Sequence, residues 1–218
     1  MKIALIATYP PQQCGIGIFT HSLAHAMMQN TASENEVIII AISENVKTVY
    51  PPEVKLTIQK ERQADYLQAA DYINNSDVDI CILQHEYGIF GGQSGIYILP
   101  FLHRLKVPLI STLHTILQTP SYTEKAIMEQ ICKMSDKVVA MSSKPITFLE
   151  KIYQVPTSKI IKIEHGIPDL HYDVQKSKTE LKLKNKIVFL TFGFVSRNKG
   201  IETVIKAMPQ IIEKHPEA

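Results

Sequence analysis

Four short stretches of this sequence carry glycines, residues able to hold charge, or both. Gly15 and Gly17 lie in YPPQQCGIGIFT, residues 9–20, between an apolar run and a helical pattern. Glycine lets backbone approach a ligand closely, and a following helix offers an anion its unpaired N–H groups and positive dipole end. A dinucleotide fingerprint fits poorly, because Thr20 stands where its third glycine belongs and a long Pro- and Gln-bearing loop replaces its tight turn. His85 and Glu86 open HEYGIFGGQSG, where Gly88, Gly91 and Gly92 give more backbone freedom than a plain connection needs. A buried His–Glu pair satisfying each other is an equally good reading of the first two residues. His114 follows a third apolar run, VPLIST, and a lone His there also suits a satisfied core residue. In FGFVSRNKG, residues 192–200, Arg197 and Lys199 precede a helix that starts near Gly200. Two cations and a helix N-terminus suit a diphosphate, although a solvated basic turn has the same composition.

The elements that must position these residues recur with a regular rhythm. KIALIA, EVIIIAI, VDICILQ, VPLIST, DKVVAM and KIIKIE are apolar or nearly so throughout, as strands covered on both faces should be. VKLTIQ at 54–59 reads as a further strand. Between the runs lie the helical patterns FTHSLAHAMMQ, ADYLQAADYINN, GIYILPFLHRLK, TEKAIMEQICKM and PITFLEKIYQ. Alternation of this kind calls for an α/β fold, a doubly wound parallel sheet with helices on both faces. Ligands of such sheets bind beyond the carboxyl ends of the strands, where Gly15, His85 and His114 fall.

After Glu164 the rhythm breaks. Residues 166–185 carry Gly, Pro and several Lys without a long apolar run and read as a linker between a domain at 1–165 and a second region at 186–218. That region restarts with a strand pattern, IVFLTF, and a helical one, GIETVIKAMPQIIEKH. One strand–helix unit cannot bury its own sheet edges, so the chain reads as a first domain plus the opening of a second.

The bulk numbers narrow the class. The chain has 218 residues, a net charge of +2 and 45% hydrophobic residues, enough for a substantial core. Near-neutral charge argues against a protein whose main work is holding nucleic acid. Cys14, Cys81 and Cys132 are odd in number and widely spaced, forming neither a metal motif nor a disulfide framework, which fits a reducing cytoplasm. MKIALIATYPP is interrupted early by Pro10 and Pro11 and reads as a buried first strand, not a signal peptide. No apolar run reaches the roughly 20 residues of a membrane span, so a soluble protein is expected.

Taken together, TYPPQQCGIGIFT, the strand end at His114, the hinge HGIPD, and Gly193 with Lys199–Gly200 resemble the family 4 (group 1) retaining glycosyltransferases of the GT-B fold. The resemblance runs through the whole chain, and QHEYGIFGG is similar to a branch associated with mannosyl transfer. It implies two Rossmann-like domains facing across a cleft, of which this chain holds the first and the start of the second. It also implies a nucleotide-sugar donor as substrate, a carbohydrate or glycolipid acceptor, and no metal or other cofactor. Gly15, Gly17, Arg197 and Lys199 are then the donor-phosphate residues, and His114 and Glu86 belong to the reacting centre. His85, Gly91 and Gly92 contact acceptor or sugar. His114 would orient donor hydroxyls, since no carboxylate here stands out as a nucleophile. The sequence departs from the family where Phe194 replaces a common Arg, and the family's paired glutamates would fall beyond residue 218.

Two other classes compete. Glu44, after EVIIIAIS, could hold the ribose of a nicotinamide cofactor in an oxidoreductase, against which the first loop argues. A non-catalytic ligand-binding module is the other. The basic cluster KSKTELKLKNK gives weak support to a membrane-surface role.

Overall fold

The computed structural model describes residues 1–29, 34–167, 171–192, 195 and 199–218. The chain forms two compact units, Met1–Ile167 and Pro168–Ala218.

The first unit is built on seven parallel strands: β1 (Lys2–Ala7), β2 (Glu36–Ser43), β3 (Val54–Gln59), β4 (Ile80–His85), β5 (Leu109–Leu113), β6 (Lys137–Ala140) and β7 (Ile160–Lys162). Their order across the sheet is β3-β2-β1-β4-β5-β6-β7, and every pair is parallel. Its helices are α1 (Gly15–Gln29), α2 (Gln63–Asn74), α3 (Ile98–Arg104), α4 (Tyr122–Met134) and α5 (Ser143–Lys151). This is the expected doubly wound architecture. VKLTIQ is indeed a strand, with the half-exposed residues of a sheet edge.

Continuous apolar runs make sense because the strands are covered on both faces. Along β1 and β2, Ala4, Ile6, Ile38, Ile40 and Ile42 enter the larger core. Their neighbours Ile3, Leu5, Val37, Ile39 and Ala41 enter a second core on the opposite face. The alternation carries to the strand ends. On β4, Cys81 and Leu83 face the larger core and Ile82 the other, so His85 and Gln84 leave the strand on opposite faces.

Helix α4 shows how local sequence fixes an element. Ser121 and Glu124 form a reciprocal capping box: the Glu124 N–H donates to Ser121 Oγ at 3.3 Å, and the Ser121 N–H donates to Glu124 Oε2 at 2.7 Å. At the other end Lys159 Nζ donates to the carbonyls of Cys132, Lys133 and Ser135, placing a cation on the negative end of the helix dipole.

The second unit differs from the sequence expectation in two ways. The stretch at 166–185, read as a linker, contains helix α6 (Val174–Glu180), capped by Asp173, whose carboxylate accepts from the N–H groups of Gln175 and Lys176. The run IVFLTF, read as a strand, joins no ladder among the described residues, although its Ile187 N–H reaches the Glu217 carbonyl. A strand needs an edge to pair with, and the described residues of this unit contain no second run of strand character. Helix α7 (Ile201–Lys214) forms as expected. Among the described residues no helix is long and apolar enough to cross a membrane.

Candidate functional site

The strand order reverses between β1 and β4, so the connections leaving their carboxyl ends run to opposite sides, the place where sheets of this kind bind ligands. Helix α1 starts at that switch point. Its first internal bond runs from the Ile18 N–H to the Cys14 carbonyl at 3.0 Å, leaving the N–H groups of Gly15, Ile16 and Gly17 to acceptors outside the helix. Gly15 and Gly17 are therefore the first turn of the helix, not a loop ahead of it. The two glycines also differ. A Cβ on Gly15 would meet nothing within 4 Å, whereas one on buried Gly17 would lie 3.4 Å from the backbone of Thr8 and Tyr9. Gly15 is open to a partner from outside. Gly17 lets the helix lie against the chain leaving β1.

One turn further along, Phe19 meets the ring of His114 edge-on at 4.9 Å, and it meets His165 at the same separation. His114 is half-buried where β5 ends. Its N–H donates to the His85 carbonyl at 2.9 Å, and its Nε2 lies 2.9 Å from Gln84 Oε1. Burial, then the neighbouring His165, lowers its pKa to about 4, so the ring is uncharged at neutral pH. Glu86, half-buried, accepts a hydrogen bond from Thr115 Oγ1 on the adjacent strand exit. The α1 start, His114 and Glu86 thus gather at the carboxyl ends of β1, β4 and β5.

His85 does not join them. Its side chain is wholly enclosed, stacked on Phe90 at 5.9 Å and edge-on to Tyr87 at 5.0 Å. Neither ring nitrogen has a partner among the described residues. The expected exposure of His85 as a sugar contact is corrected by strand parity, which turns it into the larger core. The mutually satisfied His85–Glu86 pair is absent for the same reason. Burial, with a smaller push from His114, lowers the His85 pKa to about 3.

A stability prediction follows. In the folded chain His85 stays neutral down to about pH 3, whereas in the unfolded chain it takes a proton below about 6.5. Its contribution is therefore fully present above pH 6.5 and drains away as pH falls toward 3, at about 1.4 kcal/mol per unit. At pH 4.5 the loss should be about 3 kcal/mol relative to pH 7. His85→Phe, which keeps the stack on Phe90, should remove that part of the acid sensitivity. Urea unfolding of both proteins at the two pH values checks it, and equal acid losses would refute it.

Gly91 and Gly92 also have a role within the fold. A Cβ on Gly91 would sit 1.9 Å from the Lys60 carbonyl oxygen, and Gly92 has φ of +73° with the Tyr97 ring against it. Their amides are engaged as well: Gly91 N–H donates to Tyr66 Oη at 2.9 Å and Gly92 N–H to Glu61 Oε2 at 3.1 Å. These glycines dock the loop after β4 onto the loop after β3. In that second loop Lys60 holds Glu44, the residue a ribose reading would need, at 2.9 Å.

Of the diphosphate candidates, Lys199 is exposed in the second unit, just ahead of α7. Arg197 and Gly193 lie outside the described residues. Among the described residues no group of three His, Cys, Asp or Glu is placed to hold a metal ion. Gln84, Phe19, Thr115 and His165 were not singled out by sequence. The Gln that ends the apolar run VDICILQ was the one available signal.

The chain matches no family model and no curated protein. Its fold does match solved structures. A lipopolysaccharide outer core galactosyltransferase, WaaB, in its apo form aligns with a TM-score of 0.54 at 16% identity, over 77% of this chain and 46% of its own. An alpha-glucosyltransferase in complex with UDP-glucose and DNA containing an abasic site gives a TM-score of 0.54 at 15% identity, over 82% and 45%. An alpha-glucosyltransferase bound to UDP and a DNA containing a HMU base gives 0.50 at 15%, over 73% and 42%. The chain spans about half the length of these enzymes. Its seven-stranded parallel sheet is the Rossmann-like α/β fold found in glycosyltransferases of the GT-B type.

Proposed function

We propose that this chain belongs to a retaining glycosyltransferase that moves a hexosyl group from a nucleotide sugar to an acceptor hydroxyl. The observation that carries the reading is the gathering of the α1 start, His114 and Glu86 at the sheet's switch point, in a fold shared with glycosyltransferases. The first unit serves as the acceptor-side domain, and a second, donor-binding domain begins in the second unit. Mannosyl transfer, a carbohydrate or glycolipid acceptor, and a cytoplasmic setting without a metal complete the proposal.

The chemistry follows from where charge develops. Transfer breaks the bond between the anomeric carbon and a diphosphate oxygen, so negative charge grows on the leaving diphosphate. Fixed N–H donors at the start of α1 stabilise that charge without reorganising; Lys199 and Arg197 are the cations that the sequence offers for the same task. His114, uncharged at neutral pH, exchanges a hydrogen bond with a sugar hydroxyl and so sets the orientation of the anomeric carbon. Glu86, held by Thr115, orients the incoming acceptor.

The test is transfer from radiolabelled nucleotide sugars to carbohydrate acceptors by the two-domain polypeptide. His114→Ala should lower kcat/KM by about tenfold, the scale of one lost hydrogen bond to a neutral group. A folded His114→Ala protein with unchanged transfer would remove His114 from the site. Failure to turn over any nucleotide sugar would favour the binding-module reading.

A further inference from the structure

We propose that Gln84 is a positioning residue: it holds the His114 ring in the tautomer protonated at Nε2, leaving Nδ1 as the acceptor offered to a ligand hydroxyl. Gln84 is the last but one residue of β4 and is 0% exposed. A carboxamide taken out of water is costly unless its polar atoms are used, and Cys81, Ile82 and Leu83 show that the strand interior otherwise takes apolar side chains. The hydrogen bond that Gln84 makes with its side chain goes to His114, with Oε1 at 2.9 Å from Nε2. Gln84 Nε2 has no partner among the described residues. With Oε1 turned toward the ring the amide accepts, and in that orientation the ring nitrogen facing it carries the proton.

The rest of the ring's surroundings leaves Nδ1 free. The ring meets Phe19 edge-on, the backbone N–H is spent on the His85 carbonyl, and His165 and His85 are the titratable groups that act on it. Nδ1 makes no hydrogen bond among the described residues. In the tautomer fixed by Gln84 that atom bears a lone pair, so the group it recognises is a hydroxyl acting as donor. A sugar hydroxyl meets that requirement, and a phosphate oxygen does not. This deepens the reading of His114 as a sugar contact and rests on it.

The tautomer is measurable without turnover. Two-bond proton–nitrogen correlation spectra of the 15N-histidine-labelled chain at pH 7 should show His114 protonated at Nε2 and bare at Nδ1. Gln84→Leu removes the acceptor and should give a ring averaging both tautomers. In Gln84→Glu a carboxylate accepts the same bond and adds charge, so the imidazolium form should appear at a pH where the wild-type ring is neutral. The glutamate variant carries the test if the leucine variant does not fold. A wild-type ring protonated at Nδ1, or wild-type signals retained in Gln84→Leu, would overturn the proposal. So would an unmoved His114 titration in Gln84→Glu. In the two-domain polypeptide, Gln84→Leu should reproduce most of the tenfold loss of His114→Ala, and adding His114→Ala to it should cost little more. If the tautomer shifts as expected while transfer is absent in wild type, the positioning role stands and the glycosyl-transfer reading fails.

Discussion

Gly91→Ala should destabilise the first unit by about 4 kcal/mol or more, enough to leave much of it unfolded at ambient temperature. The added Cβ would stand 1.9 Å from the Lys60 carbonyl oxygen and 2.8 Å from both the Lys60 carbonyl carbon and the Tyr97 ring. Neither backbone atom can turn aside as a flexible side chain would. Moving the glycine instead breaks its own two bonds and disturbs a third that Tyr66 makes beside them. Its N–H donates to Tyr66 Oη, Tyr66 Oη donates to the Lys60 carbonyl at 2.8 Å, and the Tyr97 N–H donates to the Gly91 carbonyl at 3.1 Å. Gly88, three residues earlier in the same loop, is the control. Nothing lies within 4 Å of its missing Cβ, so Gly88→Ala should change stability by no more than about 0.5 kcal/mol. Urea or thermal unfolding reads both variants. A Gly91→Ala protein of wild-type stability that has lost only ligand binding would return this glycine to the site.

The second large effect is kinetic. If the proposed glycosyl transfer holds, Lys199→Ala in the two-domain polypeptide should reduce kcat by about 10²–10³-fold, the scale for losing one electrostatic donor. Lys199 directly precedes Gly200, whose left-handed backbone, φ +65°, opens helix α7. A cation and a helix N-terminus together suit a leaving diphosphate. Glu202 in the first turn of α7 opposes anion binding, which makes the lysine more necessary. Lys199→Arg keeps the charge and should lose far less. Wild-type turnover in a folded Lys199→Ala protein would mean that the diphosphate binds elsewhere.

The sheet could be read from sequence because strands buried on both faces announce themselves as unbroken apolar runs. The same property hid the direction of each polar residue at a strand end. In LQHE nothing marks Gln84 as facing His114 and His85 as facing the core, since parity becomes meaningful only once the neighbours of Cys81 and Ile82 are known. The glycines misled for a related reason. Gly91 signals a close backbone approach, but sequence does not say whether the approaching atom is a ligand's or Lys60's. The run at 187–192 carries a strand's composition without an edge to pair with. Helix α6 was missed although Asp173 before it is a recognisable cap. The cap of α6 is a local signal, whereas for Gly91 and Gln84 the hidden part depends on a partner far away in sequence, Lys60 and His114.

That dependence also governs how the domain is made. The amino-terminal strand β1 lies at the centre of the sheet, and its neighbour β4 is distant in sequence: the Lys2 N–H donates to the Asp79 carboxylate 77 residues away. All the ladders are parallel, so no local hairpin exists to nucleate them. On the ribosome β1 emerges first, yet one of its edges stays open until β4 has cleared the exit tunnel. A run as apolar as IALIA must wait through that interval unpaired. The nascent domain is most exposed to misassociation in the interval between the emergence of β1 and that of β4.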